Sequence, residues 1–234
     1  MKNKFQFMLL ALALFGLAAC GSEAPEGEKV EAGEAIETTD ENAASGTTYM
    51  VNTEESQIDW VGSEAIGGEH TGYINLKEGK LMVEDGNITG GSFVIDMTTI
   101  TDTDLAPEDG KAKLEGHLKS DDFFNVSEHP TSTFEIVSVE AVESDTSGVS
   151  HRITGNLTMR GITKSVTIPA NVSMADGKLM ASTPQFTIDR TKWDVMFRAS
   201  MTNTAKEKMI NDLIGLKINL QAAPEGEMTE KMDS

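Results

Sequence analysis

A regular alternation of apolar and polar residues constrains the fold more than any other feature of this chain. Apolar residues or glycine occupy every second position from Ile153 to Met159 and again from Val166 to Met174. Because successive side chains of a β-strand point to opposite faces, this pattern predicts two half-buried strands joined near Gly161. Such strands must close or stack to bury their apolar faces, which predicts a barrel or a sandwich.

Short strands with the same alternation recur from residue 47 to residue 223, a length that suits a single domain. Strands at 70–76 and 80–84 flank a short turn that contains a glycine, which predicts a hairpin. Gly90-Gly91 indicates a bulge or a bend, and Pro169 inside a strand indicates an edge or a bulge. We therefore predict a single all-β domain that spans 47–223.

Two segments have the signals of a short helix. Residues 107–119 begin with a proline at a plausible first helical position, although the glycines at 110 and 116 lower its helix propensity. In residues 204–214, Thr204 and Glu207 have the spacing of a capping box, and an apolar face follows them. We predict a helix in each segment.

The first twenty residues have the features of a bacterial lipoprotein signal. Lys2 and Lys4 precede an apolar run that is typical of a secretory signal peptide and too short for a comfortable membrane span. The run ends in Leu-Ala-Ala-Cys20, which resembles the lipobox, in which the cysteine becomes the acylated first residue. We predict cleavage of residues 1–19 and lipidation of Cys20; the alternative is an ordinary signal peptide with an incidental cysteine. Cys20 is the only cysteine, so no disulfide forms within the chain.

Acidic segments flank the predicted domain on both sides. Residues 21–46 carry eight acidic residues against a single lysine, and no aromatic residue. This composition cannot bury enough apolar surface to offset the entropy of ordering. We therefore predict that residues 20–46 form a disordered tether and residues 224–234 a disordered tail. A lipid-anchored protein of this kind belongs at the bacterial cell envelope, and Gly21-Ser22 after the cysteine favours the outer membrane.

The acidic balance of the chain narrows the range of its partners. A formal net charge of −19 argues against nucleic acid, whose phosphates require a basic surface. It also argues against direct contact between the domain and an anionic lipid surface. Membrane attachment is therefore expected through the lipid anchor only.

Four stretches of the domain, taken together, resemble one known family. They are Ile58–Gly62, HLKSDDFFNVSEHPTSTFEI at 117–136, GNLTMRGITKSVTIP at 155–169 and FTIDRTKWDVMF at 186–197. In this order they are similar to the YceI-like family of lipid- and polyisoprenoid-binding proteins, over roughly residues 47–222. Each stretch alone is a weak signal, whereas the set is specific.

The resemblance implies an antiparallel, eight-stranded lipocalin-like barrel with one or two short helices. It also implies export from the cytoplasm, an elongated apolar tunnel for an isoprenoid or fatty-acyl chain, and no established catalysis. The chain departs from the family pattern at Asn125, where an acidic residue is usual, and in the elaborated segment from Thr202 to Asp212. Both departures bear on the identity of the ligand more than on the fold.

Phe123 and Phe124 are adjacent aromatic residues in a loop rich in Asp, Asn and Ser. Exposing a large apolar side chain to water costs about 1.5–3 kcal/mol, so we interpret the pair as a plug or lid over a barrel. With other large apolar residues they form the predicted wall and lid of a ligand cavity; the alternative is that most of them form the core of a filled barrel. The full set is Trp60, Phe93, Phe123, Phe124, Phe134, Leu157, Phe186, Trp193 and Phe197.

Five basic residues are clustered in two short segments of the acidic domain. We hypothesise that they meet at one end of the barrel and hold a carboxylate or pyrophosphate head group. Ordinary turn and strand-end residues, paired with Asp189 and Asp194, explain the same pattern equally well. The five are Arg160, Lys164, Arg190, Lys192 and Arg198.

Signals for catalysis and for cofactors are weak. The chain has no G-x-S-x-G nucleophile motif and no cysteine besides the one at the predicted cleavage site. His70, His117, His129 and His151 are scattered and lack the spacing of a metal motif, although scattered histidines can still converge in a folded barrel. We predict a binding protein rather than an enzyme, with no cofactor and no metal.

The combined prediction is a lipoprotein, monomeric or homodimeric, whose barrel binds and sequesters or carries a polyisoprenoid or fatty-acyl lipid at the cell envelope. The alternative is an envelope structural or stress protein with a filled barrel that acts through protein partners. Residue patterns do not separate a hollow barrel from a filled one, so the interior decides between these two functions.

Overall fold

Antiparallel strands account for most of the computed structural model, which describes residues 24–37, 44–143 and 148–226. The predicted signal peptide, Cys20 and residues 227–234 of the predicted tail lie outside the described residues, and Pro224 ends a strand. Thirteen strands and one α-helix form within the described ranges. They are β1 (Glu28–Val30), β2 (Gly33–Glu34), β3 (Thr47–Val51), β4 (Gln57–Ser63), β5 (Glu69–Glu84), β6 (Asn87–Asp96), β7 (Thr101–Asp102), α1 (Lys111–Lys119), β8 (Thr131–Ala141), β9 (His151–Met159), β10 (Ile162–Ala175), β11 (Lys178–Ser182), β12 (Phe186–Asp189) and β13 (Leu213–Pro224).

Eight strand positions form a ring around one interior. β13 pairs with β4, and the ring continues through β5, β6, β8, β9, β10 and β11 back to β13. β3 shares the position of β4, because both strands pair with β5 and with β13. All of these pairings are antiparallel, so the predicted all-β barrel class is confirmed.

The ring is not evenly closed between β10 and β12. β10 pairs with β11 from Asn171 onward, and β12 runs beside β13 where β11 has ended. The N-terminal segment fills the gap: β1 pairs in parallel with β12, and β2 pairs with β10. Val30 of β1 lies opposite Ile188 and is only 4% exposed. This segment is therefore part of the barrel wall.

The prediction of a disordered tether is wrong for residues 28–34. A composition rule judges a segment by its own apolar content, whereas these residues are ordered by backbone hydrogen bonds to strand edges, which readily accept a further strand. Two ion pairs reinforce the attachment. Arg152 lies 2.6 Å from Glu28, and Lys164 lies 2.9 Å from Glu34.

Three two-residue turns join consecutive strands of the ring. Asp85-Gly86, Arg160-Gly161 and Asp176-Gly177 connect β5 to β6, β9 to β10 and β10 to β11. Both residues of each turn have a positive φ, for example 50° and 80° in the first. This conformation defines the type I′ turn, whose twist matches that of the strands it joins, so these dipeptides set the register of three neighbouring pairs.

Long strands accommodate residues that usually interrupt a strand. The predicted hairpin at 70–84 is wrong, because β5 is continuous and only shifts its register against β6 between Leu76 and Glu78. A second shift, between Met82 and Val83, lies beside the glycines of β6.

Pro169 of β10 stands between the residues that pair with β2 and those that pair with β11. Proline, which cannot donate to a ladder, thus occupies the point where β10 changes its partner.

One of the two predicted helices is present. A 3₁₀ turn at Pro107–Asp109 is followed by α1, and Gly110, with φ at 103°, separates them. This left-handed conformation is one that glycine adopts without steric cost. The proline therefore begins the segment as predicted, while the glycine divides it in two.

The predicted helix at 204–214 is wrong. The segment contains a 3₁₀ turn at Lys206–Lys208, and β13 begins at Leu213. The amides of Ile210 and Asn211 donate to the carbonyl oxygens of Arg198 and Ser63, so contacts distant in sequence override a modest helix propensity. Among the described residues, no helix is long and apolar enough to span a bilayer.

Candidate functional site

The barrel encloses a cavity of about 340 Å³, which lies within the range of about 300–1,000 Å³ that small-molecule sites occupy. Its wall is mostly aliphatic and aromatic, because alternate residues of the ring strands point inward, as Ile214, Leu216 and Ile218 of β13 do. The interior is therefore hollow rather than filled by side chains.

The cavity is closed at one end and opens towards polar residues at the other. Leu220 of β13 lines its inner end, and the cross-strand pair Leu179 and Ala222, both 0% exposed, lies beyond it. At the opposite end, the half-exposed His70 and the exposed Arg198 line the mouth. A ligand that enters at this mouth meets polar groups first and an apolar interior beyond them.

Aromatic rings and α1 cover the mouth. Leu114, His117 and Leu118 of α1 line the cavity together with the Phe123–Phe124 loop and Phe197. The rings of His117, Phe123 and Phe197 form a cluster, with centroids 5.0 Å apart for His117–Phe123, 4.7 Å for His117–Phe197 and 5.2 Å for Phe123–Phe197. Both histidine contacts are edge-to-face, an arrangement that aromatic pairs prefer. The loop thus lies where the lid hypothesis requires it.

Hydrogen bonds hold the aromatic loop in place. The guanidinium of Arg160 donates to the carbonyl oxygen of Phe123 at 2.6 Å and to that of Asp194 at 3.1 Å. The amide of Phe124 donates to the carbonyl oxygen of Leu118, at the end of α1. Asn125, the departure from the family pattern, has a φ of 46°, a conformation that asparagine adopts more readily than most residues. It therefore serves the turn of the loop.

Eight of the nine predicted wall and lid residues line the cavity. Trp193 is the exception: it is 0% exposed, and its indole Nε1 donates to the carbonyl oxygen of Leu157 at 3.1 Å. It packs behind the wall and supports it. The eight lining residues are Trp60, Phe93, Phe123, Phe124, Phe134, Leu157, Phe186 and Phe197.

The five predicted head-group cations do not form one cluster. Arg190 and Arg198 line the cavity, whereas the other three do not. Lys164 is paired with Glu34 on β2, and the half-exposed Lys192 lies 3.8 Å from Asp189. The reading as ordinary paired surface residues therefore fits these two lysines, since each has an acidic partner and neither lines the cavity.

Arg190 lines the cavity, but its guanidinium is committed to the protein. It is 1% exposed, and burial lowers its pKa, with Asp212 and Asp189 opposing that effect. Four of its N–H groups donate to backbone carbonyl oxygens, so it organises the chain instead of reading a ligand. The acceptors are the carbonyl oxygens of Val195 (2.5 Å), Phe197 (3.1 Å), Ile210 (3.1 Å) and Asn211 (3.1 Å).

Two carboxyl groups beside the mouth differ in their pKa. Burial raises the pKa of Asp102, and the amide of Leu105 opposes this only in part. Burial acts in the same direction on Asp104, but hydrogen bonds from the Thr71 amide and from His70 outweigh it and lower the pKa of that carboxyl. Asp104 is therefore the more readily ionised of the two.

Sequence reasoning missed several residues of the mouth. Glu64, His70 and His117 line the cavity, yet none of them is among the predicted wall, lid or head-group residues. The available signal was their position: Glu64 follows β4, and His70 lies near the start of β5. Residues at the ends of paired strands meet at the rim of a barrel, but that inference requires the pairing to be known.

Known proteins share sequence similarity with this chain. A family model described as a YceI-like domain matches residues 49–222. A UPF0312 protein of Pseudomonas aeruginosa (strain LESB58) is 43% identical over 106 residues, which are 44% of this chain and 52% of the relative. One of Azotobacter vinelandii is 43% identical over 67 residues, 29% of this chain and 32% of the relative. The chain thus spans about half the length of the first of these curated relatives.

Two solved structures have a similar fold. A polyisoprenoid binding domain from Saccharophagus degradans, implicated in plant cell wall breakdown, superimposes with a TM-score of 0.57 at 13% identity, over 76% of this chain and 99% of that domain. BcnA of Burkholderia cenocepacia does so with a TM-score of 0.51 at 17% identity, over 73% of this chain and 98% of that protein. At these identities the similarity concerns the fold alone.

Proposed function

This chain belongs to the YceI-like domain family, and we propose that its barrel binds, and sequesters or carries, the hydrocarbon chain of a polyisoprenoid or fatty-acyl lipid. The family is one of binding and carrier proteins rather than enzymes. The solved domain from Saccharophagus degradans, described as polyisoprenoid-binding, has the same fold, which is consistent with a chain-shaped ligand.

The single observation that carries the proposal is the hollow, apolar interior of the barrel. Each methylene group transferred from water into such a cavity contributes about 0.8 kcal/mol. A filled barrel that acts only through protein partners would not need a cavity of about 340 Å³. The ligand class follows from the wall, because a surface of leucine, isoleucine and phenylalanine offers burial and few hydrogen bonds.

Blocking the cavity tests this proposal. Ala170 lines the cavity and is 2% exposed, whereas Ala175 on the same strand is exposed. Ala170→Phe is expected to weaken the binding of a fluorescent fatty acid to delipidated protein by about tenfold or more, because each methylene excluded loses about 0.8 kcal/mol. Ala175→Phe adds the same ring outside and is the control. Equal affinity of both variants and the wild type, with circular dichroism spectra unchanged, contradicts the proposal.

We propose further that Arg198 binds the head group when that group is anionic. Arg198 is exposed at the mouth, its guanidinium lies 5.1 Å from the centroid of the Phe197 ring, and no ion pair engages it among the described residues. Arg198→Gln is expected to weaken the binding of a fatty acid about tenfold and to leave the binding of its methyl ester unchanged. Displacement of the fluorescent probe measures both affinities. Equal effects on acid and ester would assign Arg198 to the lid.

We also propose that the protein is anchored at the bacterial cell envelope through an acylated Cys20, with the outer membrane favoured. The support is the lipobox-like Leu-Ala-Ala-Cys20 at the end of an apolar run. Cys20→Ser should move the protein from the membrane fraction to the soluble fraction, and intact-mass measurement should show that the acyl chains are lost. A protein that stays in the soluble fraction with Cys20 intact argues against the anchor.

A further inference from the structure

His70, Asp102 and Asp104 meet at the rim of the barrel although a stretch of more than thirty residues separates the histidine from the two acids. β7 pairs with the start of β5, with Asp102 opposite Gly72. This close approach depends on Gly72, since a Cβ there would overlap the carbonyl oxygen of Thr101. The pairing of β7 with β5 thus brings one imidazole nitrogen and two carboxylate oxygens within 4.8 Å of one another.

Asp102 is the unusual member of this group. Its side chain is 0% exposed. One oxygen, Oδ1, accepts the amide of Leu105 at 2.8 Å, but no N–H or hydroxyl group among the described residues donates to the buried Oδ2, whose neighbour is the carboxyl group of Asp104. That oxygen lies 3.9 Å from Nδ1 of His70. A buried carboxylate oxygen without a partner is costly, and this one is directed at two groups that bind metals.

The spacing of the three atoms fits a single small cation. Bonds of about 2.0–2.2 Å in tetrahedral geometry place two ligand atoms about 3.4 Å apart. Nδ1 of His70 lies 3.0 Å from Oδ2 of Asp104 and 3.9 Å from Oδ2 of Asp102, which brackets that value. Two carboxylates would balance the charge of a divalent ion, and the imidazole favours a transition metal over Mg²⁺ or Ca²⁺.

We infer that His70, Asp102 and Asp104 bind a divalent transition-metal ion of the Zn²⁺ class at the mouth of the barrel. The carboxylates are already oriented by second hydrogen bonds, since Oδ1 of Asp104 accepts the amide of Thr71 at 2.7 Å and Oδ1 of Asp102 accepts that of Leu105. Such supporting bonds are typical of metal ligands. The side chains of His70 and Asp104 are 40% and 33% exposed, so a fourth position faces solvent.

A second histidine–aspartate pair gives a matched comparison. His117 Nε2 lies 3.0 Å from Oδ2 of Asp122, the same distance as between His70 and Asp104. Among the described residues, no third histidine, cysteine or acidic side chain lies close enough to this pair to share a metal ion with it. An ordinary surface hydrogen bond therefore accounts for His117 and Asp122, whereas Asp102 makes the site at His70 different.

The test is calorimetric titration of the full-length, chelator-treated protein with ZnCl₂, without an affinity tag. The wild type is expected to bind one equivalent, and its melting temperature is expected to rise with Zn²⁺. Asp102→Asn and Asp104→Asn each keep the hydrogen bond to the backbone amide and should keep the metal-free melting temperature. Both substitutions should weaken Zn²⁺ binding by about 100-fold or more, since the loss of a group that only supports a metal ligand already lowers metal affinity by about 10–100-fold. Asp122→Asn is the control and should bind as the wild type.

Three outcomes would overturn the assignment. The first is the absence of a one-to-one Zn²⁺ site in the wild type, and the second is unchanged affinity in Asp104→Asn. The third is equally tight binding of Mg²⁺ or Ca²⁺, which would indicate a general attraction of the acidic chain for cations. The site does not depend on the proposed lipid function, because Zn²⁺ alone is the probe and binding is the readout.

Discussion

At the scale of a single residue, Arg190 shows how a buried cation can hold irregular segments of the chain together through hydrogen bonds. Its guanidinium donates to carbonyl oxygens in two segments, 195–197 and 210–211, neither of which has regular structure of any length. Both segments border the mouth of the cavity. The sequence suggests a ligand-binding arginine here, but burial and four backbone acceptors assign it to holding the mouth together.

Replacing Arg190 with methionine should destabilise the protein by at least about 3 kcal/mol. A buried carbonyl oxygen left without its donor costs about 1–3 kcal/mol. Arg190 serves four carbonyl oxygens, one through a buried hydrogen bond and three through partly buried ones. Lys192→Met is the control in the same 3₁₀ turn and should change the free energy of unfolding by less than about 0.5 kcal/mol, because Lys192 is half-exposed. Urea unfolding measures both. Similar stabilities of the two variants would show that Arg190 is dispensable.

The N-terminal segment shows at the scale of an element that sheet edges can order residues whose own composition favours disorder. β1 and β2 lie outside the residues matched by the family model, 49–222, and they fill the gap between β10 and β12. Covering unpaired edges is a common way to protect a sheet from further pairing. The segment therefore closes a seam that the ring strands leave open.

Val30→Ala should destabilise the barrel by about 1–2 kcal/mol, the cost of removing two buried methyl groups. The neighbouring Glu31→Ala should have little effect, since Glu31 is exposed and forms a surface ion pair with the exposed Lys29. Urea unfolding of the two variants against the wild type distinguishes an ordered wall from a free tether. If the tether were disordered, both substitutions would leave the free energy of unfolding unchanged.

At the scale of the whole molecule, the ring of eight strands is wide enough to leave a cavity. Eight strands enclose an interior just wide enough for side chains or for one small ligand. Here the fully buried pair Leu179 and Ala222 lies at the far end, while Phe123, Phe124 and Phe197 gather at the mouth. The space between them is the cavity.

The length of the ligand should therefore control affinity up to a limit. For saturated fatty acids of increasing length, Kd should fall about fourfold for each added methylene, which corresponds to about 0.8 kcal/mol, and then level off once the chain fills the cavity. In Ala170→Phe the same plateau should begin at a shorter chain. Titration calorimetry gives both curves. Affinity that does not depend on chain length would place the lipid on the outer surface instead.

The sequence predicted correctly what depends on near neighbours along the chain. Alternation from Ile153 to Met174 predicted strands β9 and β10, because the direction of side chains along a strand is a property of a few neighbouring residues. It failed at 204–214, where helix signals were outweighed by hydrogen bonds from Ile210 and Asn211 to distant segments. It also failed at 28–34, where two distant strand edges impose order.

What the sequence determined by itself is thus the all-β class, the family resemblance, and an apolar inner face for the strands that it predicted. Only the tertiary structure decided that these faces surround a cavity, that Arg190 is structural while Arg198 stays exposed, and that His70 meets Asp102 and Asp104. The physical reason is that strand propensity and turn type are local, whereas the register and closure of the sheet join residues far apart in sequence. Those long-range pairings select which side chains share a space.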